Sequence, residues 1–354
     1  MLETELTRML GIQYPLFLAP MAGGPATPEL AAAVSNAGGL GNLGGAYLTP
    51  DQLRSTIRRT RELTDRPFGV NLFVPELPEE QEGEVGQMTT ELNKYRAQLG
   101  IELNPSIPKS SESFQEQVQV LLEEEVSIFS FTFGIPPHDM LQAMKQRGIV
   151  IIGTATTVEE AIRLEAAGVD AIAAQGSEAG GHRGTFLKSD SDALVGTMAL
   201  IPQIVDHVSI PVIASGGIMD GRGLAASLVL GATAVQMGTA FLACPESGAH
   251  EVYKHKILTS HEDSTAITRV YSGKPARGIQ TTFMNDMDQY SGIIPAFPIQ
   301  NVMTRDIRQA AARANNPEYM SLWAGQGLRL ASNHSAAEIV EQTMDQAKAL
   351  LKKW

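Results

Sequence analysis

Residues 168–184 read GVDAIAAQGSEAGGHRG, and the order of their parts decides the fold. A helix-ending glycine, Gly168, precedes a short apolar run, and the run stops in a glycine-rich segment carrying Glu178, His182 and Arg183. A strand with one wet face alternates apolar and polar residues; DAIAAQG does not, so both of its faces are covered, as in a parallel sheet under helices. A weak echo follows at 231–238, GATAVQMG, which again sets a glycine, two residues and a strand finishing in Gln. Similar units are being reused.

Working outward, the same pattern predicts strands in 15–23, 39–45, 68–74, 127–134, 149–156, 170–176, 211–218 and 234–242. Helical patterns lie between them, several opened by a capping Thr or Asp and several closed by Gly. Eight βα units point to an α/β protein with a closed (βα)8 TIM barrel, rather than an open doubly wound sheet. Two segments break the rhythm. Residues 75–112, rich in Pro, Glu and Ser, form an insertion after the third strand, helical around 87–98. Residues 244–322 follow the eighth strand as a smaller second domain, a substrate lid. The barrel is then 1–243, and the tail 323–354 has apolar residues at helical spacing that pack it back on the barrel.

Composition removes several classes of function. A formal net charge of -12 without a basic run argues against nucleic acid, whose affinity comes from clustered Lys and Arg. Cys244 is the only cysteine, so neither an intrachain disulfide nor a cysteine metal cluster can form, and no His or carboxylate pair in the glycine-rich loops has ligand spacing. The acidic start MLETELTRML does not read as a signal peptide, and no run of about 18 apolar residues exists to span a membrane. A cytoplasmic protein that binds neither nucleic acid nor membrane is the expectation.

In such a barrel the residues at the carboxyl ends of strands face the active site. Strand one ends in Met21-Ala22-Gly23, strand three carries Asn71, strand six ends in Gln175 and the Gly180-Gly181 loop, strand seven in Ser215-Gly216-Gly217, and strand eight in Gln236-Met237-Gly238-Thr239. ASGGI and QMGT suit a phosphate held by backbone N–H groups, with Thr239 adding a hydroxyl. Asn71 and Gln175 offer amides to the edge of a flat heterocycle, and Met21 offers a soft apolar face. A ring with a phosphate tail is the shape of FMN. His182, one loop from that ring, titrates near neutrality and is the candidate catalytic group. Glu178 reads as a partner for Arg183 or for a helix N-terminus.

APMAGG, GVNLFV, QGSEAGGHRG, ASGGI, QMGTAFL and LWAGQG (322–327) together resemble the nitronate monooxygenases of bacterial class I, over nearly the full chain. EAGGH is shared with the flavin-dependent enoyl-acyl-carrier-protein reductases of the same superfamily. The resemblance implies an FMN barrel in which Asn71, Gln175, Gly180, Gly217 and Gln236–Thr239 match flavin contacts and His182 matches the active-site histidine. It implies oxidation of alkyl nitronates, such as propionate 3-nitronate, with O2 to a carbonyl compound and nitrite, His182 holding the nitronate or removing the α-proton of a neutral nitroalkane. The alternatives are an FMN-dependent NAD(P)H reductase acting on an enoyl thioester or quinone, and a flavin-binding protein without activity. Tyr95, Tyr271 and Tyr290 are each candidates for the pocket wall.

Overall fold

The computed structural model describes residues 2–75, 82–106, 113–187 and 193–353; the parts of the expected insertion at 76–81 and 107–112 lie outside the described residues. Each of the eight expected runs holds one strand of a single parallel sheet. In chain order the strands are β1 (Leu16–Leu18), β2 (Gly41–Gly44), β3 (Phe68–Phe73), β4 (Ile128–Thr132), β5 (Val150–Ala155), β6 (Ala171–Gln175), β8 (Val212–Ser215) and β9 (Ala234–Met237). The extra pair of residues between them, β7 (Gly181–His182), belongs elsewhere. The sheet runs β1-β9-β8-β6-β5-β4-β3-β2, and a parallel bridge from Phe17 to Leu40 joins its two ends into a barrel.

Local chemistry sets the boundaries. The Thr27 hydroxyl accepts from the Leu30 amide at 2.9 Å ahead of the helix Pro28–Asn36, and Pro28 supplies a fixed φ where no amide is needed. Gly168 ends the helix Val158–Ala167 at φ +88°, which lets the chain reverse straight into β6. The run 234–242 is shorter as a strand than its apolar character suggests. The chain turns at Gly238 into the short helix Thr239–Leu242.

The inward side chains divide the barrel into two ends. At the amino end Phe17, Ile128, Ile152, Ala173, Ile213 and Ala234 form a dry cluster, closed from below by Leu6 and Leu10 of the helix Glu5–Leu10. At the carboxyl end the inward positions are polar: Asn71, Ser130, Thr132, Thr154, Gln175, Ser215 and Gln236. An apolar floor under a polar rim places the site at the carboxyl face, as barrels of this kind require.

The segment after β9 covers that face. It contributes the helix Glu251–Thr259, the antiparallel pair β10 (Thr265–Thr268) and β11 (Ala276–Ile279), and the helices Thr282–Met287, Ile299–Met303 and Arg305–Arg313. β11 also pairs antiparallel with β7, so the loop after β6 is hydrogen-bonded into this covering segment. The insertion forms a helix, Glu82–Leu99, longer than the stretch expected from sequence. Its Met88, Leu92 and Tyr95 pack against Tyr271, Phe283, Met303 and Ile307. The last helix, Ala336–Leu351, lies on the helix Gly221–Val229, where the Gly221 amide donates to Gln346 Oε1 at 2.8 Å. Among the described residues no helix is long and apolar enough to cross a membrane.

Candidate active site

A cavity of about 610 Å³ opens at the carboxyl ends of the strands. Met21, Ala22, Gly23, Asn71, Gln175, Gly180, Gly181, His182, Ser215, Gly216, Gly217, Gln236, Gly238 and Thr239 all line it. Met237 does not. Residues alternate across a strand, so with Gln236 facing inward Met237 faces the helices, where it is fully buried in the main core.

The loop after β6 is held from three sides. The Gln175 amide donates from Nε2 to the His182 carbonyl at 3.0 Å and accepts at Oε1 from the Gly184 amide at 2.9 Å. This amide, expected to meet a heterocycle, therefore spends part of its capacity fixing the histidine's own backbone. Arg183 is buried and donates to the carbonyls of Gly176 (2.7 Å), Gln175 (2.9 Å) and Ala193 (3.0 Å), tying both roots of the loop together. Glu178 takes the second of its two expected roles. Both of its oxygens accept from the Thr197 amide at 2.9 Å, at the start of the helix Thr197–Val205, where a carboxylate suits the positive end of the dipole. Gly180 is required by packing, because a Cβ there meets the backbone of Ala324 and Gly325 at 2.5 Å. The LWAGQG stretch thus rests directly on this loop.

The β8 and β9 ends fit a phosphate. Gly216 and Gly217 take φ +111° and +71°, and the sides on which they lack a Cβ are packed against Ala179, Thr197 and Glu178. Bare backbone is what they present to the cavity. Asp220 caps the helix Gly221–Val229 by accepting from the Arg222 amide, so that helix end is already occupied by a carboxylate and the glycine turn before it carries the fit. Thr239 Oγ1 accepts from the Gly325 amide at 2.9 Å, which leaves the hydroxyl proton to donate. Among the described residues no Asp or Glu lines the cavity.

His182 sits at the other end of the cavity in a box of rings. Phe73, Phe133, Phe297 and Trp323 have centroids 6.1, 5.7, 5.8 and 5.6 Å from the imidazole. Its Nε2 lies 2.9 Å from Ser272 Oγ, and that hydroxyl donates to the Lys274 carbonyl at 3.1 Å. A hydroxyl has one proton. With it given to Lys274, the imidazole proton sits on Nε2 and Nδ1 carries the lone pair.

Burial, then the charges of Lys274 and Arg308, pull the His182 pKa down to about 3. Part of the ring surface still opens to the cavity. The ring is accordingly neutral through the physiological range. NMR titration of the imidazole should show no inflection for His182 between pH 5 and 8; one near 6.5 would mean that the cavity solvates it like bulk water. For stability the sign is that of a depressed group. The unfolded chain takes up a proton near pH 6.5 while the folded ring does not, so this contribution is full above 6.5 and is lost as pH falls towards 3.

Sequence reasoning passed over several members of the site. Tyr47, Phe73 and Phe133 all lie at or just after strand ends, so the rule that found Asn71 and Gln175 applies to them equally. Phe133 even stands at φ +73°, a conformation few bulky residues adopt without a reason outside the backbone. Asn301, Arg305, Arg308 and Gln309 reach the cavity from the covering helices, at a distance along the chain that no local signal marks. Tyr95 and Tyr271 are buried in the core between the insertion and the covering segment and Tyr290 packs against it; the tyrosines lining the cavity are Tyr47 and Tyr253.

Comparison with known proteins agrees with this arrangement along the full chain. The family model for nitronate monooxygenase matches residues 3–346. A "probable nitronate monooxygenase" of Staphylococcus saprophyticus is 48% identical over 99% of both chains, and one of Staphylococcus haemolyticus is 48% identical over 99% of this chain and 98% of its own. Among solved structures, the nitroalkane oxidase of Streptomyces ansochromogenes superposes with a TM-score of 0.91 at 39% identity, covering 98% of this chain and 99% of that one. FabK of Thermotoga maritima superposes with a TM-score of 0.78 at 32% identity, over 99% and 98%.

Proposed function

The chain belongs to the nitronate monooxygenase family, and we propose that it oxidises alkyl nitronates, propionate 3-nitronate among them, with O2, using FMN, to a carbonyl compound and nitrite. The observation that carries this reading is one cavity with two differently built ends. One is a glycine and hydroxyl cradle suited to a phosphate; the other is a neutral histidine boxed by aromatic rings.

FMN would be held by Met21, Ala22, Gly23, Asn71, Gln175, Gly180, Gly181, Ser215, Gly216, Gly217, Gln236, Gly238 and Thr239, Met237 supporting the strand from behind. Bound there, it supplies one-electron exchange with the substrate and passage of electrons to O2. The chain's own residues do the rest. The rings around His182 exclude water, so an anion entering there loses its hydration and depends on the dipoles and charges that the protein supplies. His182 offers a lone pair at Nδ1, with Ser272 fixing the ring through Nε2. Because burial and then nearby cations oppose its protonation, the free ring is a weak base; an arriving nitronate anion raises the tendency of the ring to hold a proton at Nδ1, and the ring so protonated donates to the nitronate. Residues 244–322 serve as the cover that completes the box, and a reducing cytoplasm suits the buried free thiol of Cys244.

Purified protein should be yellow, release FMN and no FAD on heat denaturation, and consume O2 when propionate 3-nitronate is added. Absence of flavin defeats the cradle assignment. Bleaching of the flavin by NADPH without oxygen, combined with no nitronate-dependent O2 uptake, would replace the reading with the reductase alternative.

A further inference from the structure

Oxidation of a simple alkyl nitronate gives Arg308 nothing to do. This residue lines the cavity from the helix Arg305–Arg313, and among the described residues its guanidinium bonds only neutral oxygens: Nη2 to the Asn301 carbonyl at 2.6 Å and Oδ1 at 2.9 Å, Nε to the Thr304 carbonyl at 3.4 Å. Arg308 is half-buried, and burial lowers its pKa. The acid nearest in sequence, Asp306, is engaged elsewhere: Arg96, 2% exposed on the insertion helix, holds it at 2.8 Å and also donates to the Met303 carbonyl at 2.8 Å. That pairing anchors the start of the helix and holds the carboxylate, which acts on Arg308 through space without a hydrogen bond to it.

Desolvating a guanidinium without an anionic partner is unfavourable, and the chain has acids to spare, 39 Asp and Glu against 27 Lys and Arg. Among the described residues none of those acids lines the cavity. The charge of Arg308 is felt by both Tyr47 and His182, which line the same cavity. Arg305, one turn earlier on the same helix, reaches the cavity too and is exposed. A planar guanidinium fork matches a carboxylate.

Resting on the function proposed above, we propose that Arg308 is the specificity-determining residue that makes this cavity prefer a nitronate whose chain ends in a carboxylate. The nitronate group lies at His182 and the carboxylate at Arg308, with the Tyr47 hydroxyl beside it. A preference for a second negative charge then comes from the covering helix, and the barrel itself is indifferent to it.

The test uses the flavin-loaded enzyme and two nitronates of equal carbon number, those of 3-nitropropionate and 1-nitropropane. The wild type should favour the carboxylate in kcat/KM by about 10- to 100-fold, the range for a hydrogen bond to a charged group. Arg308→Gln should collapse that ratio towards one, mainly through KM for the charged substrate, and Arg308→Lys should restore part of it. Titration calorimetry with succinate, an unreactive dicarboxylate, gives a second readout: binding should weaken in Arg308→Gln and partly return in Arg308→Lys. Equal losses on both nitronates, or a wild type without preference, overturns the assignment; so does tighter binding of inorganic phosphate than of succinate at Arg308. If neither nitronate supports O2 uptake, the functional reading fails, and the succinate titration still decides the role of Arg308.

Discussion

His182→Ala is expected to leave FMN bound and to cost about 10²-fold in kcat/KM with a neutral nitroalkane, but only about 10-fold with the matching nitronate. The cofactor contacts proposed here come from strand ends and glycine backbone, and the imidazole stands at the other end of the cavity among Phe73, Phe133, Phe297 and Trp323. Removing it leaves the cradle intact. A nitroalkane must lose a carbon-bound proton, and a positioned base contributes about 10²–10⁴-fold to such a step. The pKa of about 3 places His182 at the low end, because a base that holds a proton weakly gains less from taking one. A nitronate has no such proton to lose, so only its hydrogen bond to the ring disappears. Steady-state oxygen uptake with both forms of one compound, each freshly prepared, measures the two losses. Equal losses would show that the ring binds and does not act as a base. An unchanged enzyme would reduce His182 to a structural residue.

How much of this was legible beforehand depends on whether the signal is local. The barrel was, because each βα unit announces itself within about 30 residues: a capping Thr, an apolar helix face, a closing Gly, a strand apolar on both sides. The strand-end rule then named many of the residues that line the cavity, including Asn71, Ser215 and Gln236, since a polar residue closing an apolar run has few other reasons to be there. It erred at Met237, where being next to a site residue is not the same as facing the site; strand alternation, already available, separates the two. The aromatic box was missed for the opposite reason. Phe73 and Phe133 look like ordinary core residues in an apolar run, although the strand-end rule reached them and alternation puts Phe73 on the same face as Asn71. Arg308 was beyond reach. Its place depends on the covering segment, on Arg96 from the insertion and on Asp306, three pieces brought together only by tertiary packing. Glu178 lay between: its two possible partners were readable, and the choice of Thr197 over Arg183 was made by the fold.

Arg183→Met is expected to destabilise the protein by about 3 kcal/mol, a drop in melting temperature on the order of 5 °C, and to impair catalysis although Arg183 lines no part of the cavity. The guanidinium is 1% exposed and binds three backbone carbonyls across the roots of the loop, at Gln175, Gly176 and Ala193. Methionine fills similar space and returns none of those donors. The loss is bounded from above by two features of the native state. Burial holds the Arg183 pKa down to about 10, so desolvation already offsets part of the gain, and its Nε finds no partner among the described residues. The Gly176 carbonyl also keeps a second donor, the Ala179 amide at 3.1 Å. Lysine is a poor replacement, because one ammonium cannot reach three carbonyls spread along a fork. The effect on catalysis follows from chain connectivity. His182 immediately precedes Arg183, and its ring must stay within reach of Ser272 Oγ while Gln175 holds its carbonyl. With the arginine gone, Gln175, Glu178 and the short β7–β11 pairing still hold parts of the loop, but its two roots are no longer tied to one side chain, so kcat should fall together with thermal stability while the released flavin remains FMN. Melting within about 1 °C of the wild type would show that the remaining contacts suffice, and that the arginine's three bonds are matched by the desolvation it undergoes to make them.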